Sequence, residues 1–205
     1  MTILSKTGFN TLLQTIFENG CYSKAGRNAT AKMVAGGGRA LDMFLSAICD
    51  LPETTLHPRD VADTVSDVFG QFAKRDANCV IDRCDQIGEF QTFWAMGSAT
   101  GQRSIDVLID GLTSRDKYAR WAAAESLIRR RSKRAVLALA TALKDRSSLV
   151  KSAIVQAMKS NRIFRCAEAL PALRRIIASK SMQKHSPGTW KTAKEVVEMI
   201  EEEAS

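Results

Sequence analysis

The stretch YARWAAAESLIRR, residues 118–130, decides the fold class that this sequence predicts. It places small side chains at Ala119 and Ala122–Ala124 and a larger apolar one at Leu127, which gives a helix a narrow apolar face. Small residues on such a face let a neighbouring helix approach closely. We therefore expect residues 118–130 to form a helix that packs tightly against other helices.

Helical segments recur around this stretch at an offset of about 31 residues. Leu112 and Leu143, which are separated by that offset, each end a first helix. The predicted units consist of a first helix, a turn and a second helix at 104–112, 113–116 and 118–130, at 134–143, 144–148 and 149–161, and at 166–179, 180–188 and 189–203. A short fixed period of helix, turn and helix is typical of an α-solenoid.

The motif D-x-x-A-R-x-A-A-A-x-x-L, from Asp116 to Leu127, resembles the HEAT family, particularly the short HEAT-like repeats also seen in phycobilin lyases. Asp116, Arg120, Ala123 and Leu127 match that pattern, and Lys151 replaces the arginine in the second unit. The resemblance implies that Asp116 caps the second helix and that Arg120 faces the neighbouring unit. It also implies an all-α fold, an α-solenoid of antiparallel helix pairs in a right-handed superhelix.

The first hundred residues fit the same architecture less well. They contain helical patterns at about 7–19, 24–34, 41–51, 58–75, 77–88 and 89–99. A glycine run at 36–38 predicts a helix break, because a phosphate-binding loop would also need a lysine, a Ser or Thr and a preceding strand. We expect a single α-solenoid over residues 1–205, with degenerate repeats at 1–100 and clearer HEAT-like repeats with a basic surface at 101–205.

The composition is that of a soluble helical protein. Hydrophobic residues make up 45% of the chain, with four prolines and two tyrosines, and no apolar run reaches the roughly 18 residues that a membrane span needs. Five cysteines, at positions 21, 49, 79, 84 and 166, lack CxxC spacing. They predict buried free thiols and a cytoplasmic location.

The sequence does not predict a catalytic or metal site. The two histidines, His57 and His185, lie far apart, which gives little support to a zinc site. Asp106 and Asp110 have the spacing of a solvated acidic helix face rather than of a general acid and base. We therefore expect no cofactor, no metal and no enzymatic activity.

Positive charge is concentrated in the second half of the chain. Residues 1–100 carry 9 Lys or Arg and 11 Asp or Glu, whereas residues 101–205 carry 21 Lys or Arg and 11 Asp or Glu. Five of these acids lie in the last eleven residues, so residues 101–194 carry a net charge of +15. A field this concentrated favours an anionic partner.

The cations and one tryptophan predict a partner-binding surface. Five of the six residues 129–134, the cationic run, are Lys or Arg, which exceeds what the end of a helix requires. Trp121 lies off the apolar stripe, so it either anchors a partner on the concave surface or packs against the next helix pair. The predicted partner-binding residues are Arg120, Trp121, Arg129, Arg130, Arg131, Lys133, Arg134, Lys151, Lys159, Arg162 and Arg165. The alternative interpretation of the cationic run is surface decoration or a localisation signal.

Two functions fit these features. The favoured one is a non-enzymatic protein-binding solenoid, an adaptor or a cognate inhibitor such as an immunity protein against a bacterial toxin, which docks an acidic protein. The alternative is a nucleic-acid-binding protein whose cations contact phosphates. HEAT-like DNA glycosylases use clustered tryptophans beside an aspartate, and the tryptophans of this chain are dispersed.

Overall fold

The computed structural model describes residues 5–20, 22–49 and 58–204, except for the side chains of Cys49 and residues 58–62. These residues form fourteen α-helices and two short 3-10 helices, and the described ranges contain no strand. The all-α prediction is therefore confirmed. By its internal contacts the chain divides into two compact units, Met1–Ser104 and Ile105–Ser205.

Buried phenylalanine side chains of four helices contribute to the core of the first unit. Its helices are α1 (Lys6–Asn19), α2 (Lys24–Val34), α3 (Gly37–Cys49), α4 (Pro58–Arg75), α5 (Ala77–Ile81), α6 (Cys84–Ile87) and α7 (Glu89–Met96). Serine N-caps fix the starts of α1 and α2, where Ser5 and Ser23 accept hydrogen bonds from the N–H groups of Gly8 and Gly26. In the core, the rings of Phe44 and Phe69 meet edge to face at 5.7 Å.

The glycine run ends one helix and starts the next. The predicted break is confirmed at residues 35–36, but α3 begins at Gly37 rather than at residue 41. Two local constraints explain why glycines occur here. A Cβ on Gly36 would lie 2.7 Å from the Cβ of Ala40, and Gly37 has a φ of 63°, which side chains disfavour.

The single helix predicted at 77–88 is wrong, because the structure contains two short helices, α5 and α6. The chain leaves the helical path at Arg83, which has φ −116° and ψ 17°. From this position the guanidinium of Arg83 donates to both carboxylate oxygens of Asp42, at 2.5 and 3.0 Å, and to the carbonyl of Cys79. This ion pair joins α3 to the α5–α6 segment.

The second unit contains the repeat helices. The helix α8 (Gln102–Gly111) leads into α9 (Lys117–Arg130), α10 (Lys133–Ala142), α11 (Ser148–Ser160), α12 (Leu170–Ala178), α13 (Lys180–His185) and α14 (Pro187–Ala204), with 3-10 helices at Arg162–Phe164 and Ala167–Ala169. The turn predicted at 180–188 is wrong in part, because six of its residues form α13. Ser179 caps this helix by accepting a hydrogen bond from the N–H of Met182.

The second helices of the three predicted repeats lie side by side. α11 packs against both α9 and α14, while α10 packs on α9 and α12 packs on α14. Ala119, Ala122, Ala123 and Ala124 have no solvent exposure, as expected of a face that touches another helix closely. The tight helix that the stretch at 118–130 predicts is therefore present as α9.

The remaining expectations from composition concern thiols, membranes and metals. Cys79 is buried, and burial raises the pKa of its thiol to about 11, whereas Cys84 and Cys166 are only half buried. Cys21, His57 and the side chain of Cys49 lie outside the described residues. Among the helices described, none combines the length and apolar character needed to cross a bilayer. The described side chains also contain no group of three or more His, Cys, Asp or Glu arranged to hold a metal ion.

Candidate protein-binding site

A groove crosses the second unit over α9, α11 and α14. It consists of two cavities of about 440 and 470 Å³ that share Leu149, Ser152 and Gln156 of α11. Trp121 and Ile128 of α9 line one end, and Thr189 and Thr192 line the other. The groove thus runs along the faces that the second helices of three successive units present to solvent.

The lining of the groove is apolar and hydroxyl-bearing rather than cationic. Glu125 is the charged residue among the side chains that line the two cavities, and the others are mainly Ser, Thr, Gln, Leu, Ile and Ala. Large apolar residues near a groove are usual anchors for proteins, because their burial removes apolar surface from water. Leu149 is 37% exposed, so part of its side chain faces the groove.

Trp121 is half-buried and forms part of the groove wall. Its position on α9 follows from the helical period, because Trp121, Glu125 and Ile128 are spaced four and three residues apart on one face. Trp94 and Trp190 have other surroundings: Trp94 stacks on Phe90, and the indole N–H of Trp190 donates to the carbonyl of Ile177 at 2.8 Å.

The cationic run forms the tight connection between α9 and α10. Arg131 adopts the left-handed conformation at the end of α9, with φ 45°, and Ser132 caps α10 by accepting a hydrogen bond from the N–H of Ala135. Partial burial lowers the pKa values of Arg129 and Arg130, and Arg129 donates to the hydroxyl of Ser126. The cations of this run therefore differ in environment, because Arg129 and Arg130 are partly desolvated.

Arg120 corrects one of the sequence-based site predictions. It is only 4% exposed, and its guanidinium donates to both oxygens of Asp145, at 2.6 and 3.1 Å, and to the carbonyls of Ser114 and Arg115. This ion pair holds the turn before α9 against the turn before α11. Arg120 thus faces the neighbouring repeat, as the resemblance implied. Its side chain is buried inside the protein, so it cannot contact a partner.

Three further predicted cations are paired with acids of α14. Lys159 lies 2.7 Å from Glu195, while Arg162 and Arg165 both reach Glu203, at 3.3 and 2.5 Å. Arg165 also donates to the carbonyls of Met158 and Lys159, which end α11. The acids of α14 therefore neutralise part of the predicted basic surface.

The structure places the predicted cations at both ends of the repeat helices rather than at one end. Lys151 lies in the first turns of α11, whereas Lys159 and the cationic run lie at the ends of α11 and α9. Lys151 and Lys159 are eight residues apart on α11, which places them about 12 Å apart along the helix axis. Arg134 belongs to the cationic run and pairs with Asp106 of α8 at 2.6 Å. Sequence reasoning missed Lys144 and Arg146, which sit in the turn before α11.

The repeat prediction agrees with a known family. Residues 105–183 match the family model of HEAT repeats. No curated protein matches the sequence of this chain. Together with the helical structure, the match confirms the HEAT-like repeat prediction for residues 105–183, and HEAT repeats suggest a scaffold for protein interactions rather than an enzyme.

Proposed function

We propose that this protein is a non-enzymatic binding protein, a HEAT-like solenoid of antiparallel helix pairs in a right-handed superhelix, that docks an acidic partner protein on its second unit. The observation that carries the proposal is the groove over α9, α11 and α14, which has Trp121 in its wall. In this view Trp121, Leu149 and Ile128 supply the buried contacts. Exposed cations at both ends of the helices, such as Lys133 and Arg146, attract the partner.

The charge distribution favours an acidic protein over nucleic acid. A nucleic acid would contact a continuous row of unpaired Lys and Arg side chains, since its phosphates are evenly spaced. Here Arg120, Lys159 and Arg165 are paired with carboxylates of the protein itself, and the groove between the cations contains Glu125. Cations flanking a partly apolar groove instead resemble the polar rim and apolar centre of a protein interface.

An adaptor and a cognate inhibitor, such as an immunity protein against a bacterial toxin, both fit this description, and the identity of the partner discriminates between them. A cytoplasmic location is part of the proposal. It is supported by the free thiols of Cys79, Cys84 and Cys166, which suit a reducing compartment.

The test is co-purification of partners from the native source with the wild-type protein and two matched variants. Trp121→Ala removes the groove anchor, whereas Tyr118→Ala removes an exposed aromatic ring from the same helix outside the groove lining. We expect one acidic protein to be retained in a stoichiometric amount by the wild type and by Tyr118→Ala. We expect Trp121→Ala to bind it at least about tenfold more weakly, as measured by calorimetry, because truncation of an anchor costs about 2 kcal/mol or more.

Two results would contradict the proposed function. Recovery of nucleic acid alone, with binding that falls steeply as salt is raised, would favour the alternative function. Equal partner affinity of Trp121→Ala and wild type would show that the groove is not the docking site.

A further inference from the structure

The two clearest repeats place a cation at the same position of the second helix. Asp116 and Ser147, which are 31 residues apart, are the N-caps of α9 and α11. Arg120 and Lys151 follow them at the same distance along the two helices. The turns before these helices are also in contact, since Arg146 donates to the carbonyl of Arg115 at 3.2 Å. Lys151 is therefore the counterpart of Arg120 in the next repeat.

The two counterparts differ in what balances their charge. The positive charge of Arg120 is balanced by Asp145, which belongs to the turn of the following repeat. The corresponding turn of the next repeat, residues 180–188, contains no Asp or Glu and so offers no counterpart of Asp145. None of the ion pairs among the described residues includes Lys151, Lys144 or Arg175. The repeat thus lacks a carboxylate at the place where the preceding repeat has one.

A cavity occupies that place. It has a volume of about 230 Å³ and is lined by the cations Lys144, Lys151 and Arg175, with apolar side chains such as Leu143 and Ile176 beside them. Asp145 also lines the cavity, but its two oxygens already accept hydrogen bonds from Arg120, and one of them accepts from the N–H of Ser147 at 2.6 Å. Three cations in one concave site repel each other, and a bound anion relieves that repulsion.

We propose that this cavity, the carboxylate pocket, binds the side chain of an Asp or Glu residue of the acidic partner, which takes the place that Asp145 has beside Arg120. The inference rests on the proposed function and names the chemical group that the partner contributes. The apolar part of the lining suits the aliphatic stem of a carboxylate side chain, which a free phosphate lacks. The guanidinium of Arg175 can bind both oxygens of a carboxylate at once.

The first test uses short peptides and the protein alone. Probes are the capped tripeptides Gly-Glu-Gly and Gly-Gln-Gly and inorganic phosphate, and binding is followed by backbone amide shifts in ¹⁵N NMR spectra. We expect the Glu peptide to shift amides of residues 143–151 and 172–182, the Gln peptide to leave them unchanged, and phosphate to bind less tightly than the Glu peptide. Lys144→Gln with Arg175→Gln should weaken binding of the Glu peptide at least about tenfold. Lys24→Gln with Lys184→Gln, which removes the same charge from exposed positions outside the pocket, should not.

The second test supplies the missing carboxylate from within the chain. Ser179 lines the pocket and caps α13, and aspartate and asparagine both retain the capping function. We expect Ser179→Asp to raise the melting temperature above that of Ser179→Asn and to abolish binding of the Glu peptide. The temperature difference should shrink when Lys144 and Arg175 are also changed to Gln, because the added carboxylate then lacks its partners.

Each outcome decides the inference. If neither peptide shifts these amides, if both pairs of Lys and Arg substitutions weaken binding equally, or if Ser179→Asp leaves peptide binding intact, the pocket is not a carboxylate site. Tighter binding of phosphate than of the Glu peptide would make it a phosphate site instead. Because these measurements need no partner protein, a negative result would not contradict docking through Trp121. Loss of that docking alone would likewise not contradict carboxylate binding in the pocket.

Discussion

Removal of the carboxylate of Asp145 should destabilise the second unit more than any change to an exposed ion pair. In Asp145→Asn the side chain keeps its size and can still accept the hydrogen bond from the N–H of Ser147, but Arg120 loses its counter-ion. The side chains of Arg120 and Asp145 are only 5% and 8% exposed, so water cannot replace the lost carboxylate. Breaking a buried ion pair from one side costs about 3–5 kcal/mol.

The remaining contacts of Arg120 place the expected loss near the lower limit, at about 3 kcal/mol, since the carbonyls of Ser114 and Arg115 still accept hydrogen bonds. The assay is urea unfolding followed by far-UV circular dichroism and tryptophan fluorescence. The control is Asp106→Asn, which breaks the pair with Arg134. Those two side chains are about half exposed, and such pairs contribute less than about 1 kcal/mol.

A double-mutant cycle identifies the cause of the loss. Arg120→Met removes the buried positive charge, so Asp145→Asn should cost less in that background than in the wild type, with a coupling of about 1–3 kcal/mol. The reasoning fails if Asp145→Asn is as stable as Asp106→Asn, or if the two substitutions are additive. Either result would mean that the turns before α9 and α11 are held together by something other than this ion pair.

Three further perturbations test the packing, the helix connection and the first unit. Ala123→Glu should unfold the second unit, because Ala123 has no exposure and a charge there would be buried against another helix, and loss of its circular dichroism signal would show this; a folded variant would contradict the close packing of α9. Arg131→Gly should raise the free energy of unfolding by about 0.5–1 kcal/mol in urea titrations, because glycine adopts the left-handed conformation without strain, while Arg131→Ala should bring no such gain. The hydrogen bond from Arg83 lowers the pKa of Asp42, so the pair stabilises the fold above the ordinary pKa of a carboxyl group, and this contribution is lost as the pH falls through the lowered value. The stability difference between wild type and Asp42→Asn should therefore disappear in acid, and a difference that persists at all pH values would exclude the pair as its source.

The helices that the sequence predicts best are those whose own residues determine both ends. α1, α2 and α9 begin after a Ser or Asp cap and carry an apolar stripe at helical spacing, and their predicted bounds agree with the structure to within about two residues, the usual disagreement at helix ends. The segment 77–88 shows the opposite case. Its local pattern is helical throughout, but Arg83 turns toward Asp42, which lies 41 residues away. Hydrophobic periodicity within a segment cannot predict a contact between residues so far apart in the sequence.

The sequence predicts the position of Trp121 in the candidate site, but it does not predict which cations are paired with acids. The spacing of α9 places Trp121 off the core stripe, and its part in the groove wall follows from that spacing. The net charge of residues 101–194, by contrast, treats every cation as exposed. The acids at 195–203 lie on α14, which packs against α11, so Glu195 and Glu203 reach the cations at and beyond its end. Charge counted along a sequence omits such pairs, because they depend on which helices are neighbours.

The repeat itself carries information that neither composition nor motif matching uses. When two units share a backbone geometry, a contact seen in one predicts a partner for the equivalent residue in the next. A residue that lacks that partner within the chain then marks a vacancy in the pattern. Arg120 has Asp145, whereas the corresponding turn of the next repeat, residues 180–188, offers Lys151 no Asp or Glu. Lys144 and Arg175 are exposed and Lys151 is half-buried, so all three cations can be reached from solvent. A carboxylate of the proposed partner would balance these three cations as Asp145 balances Arg120.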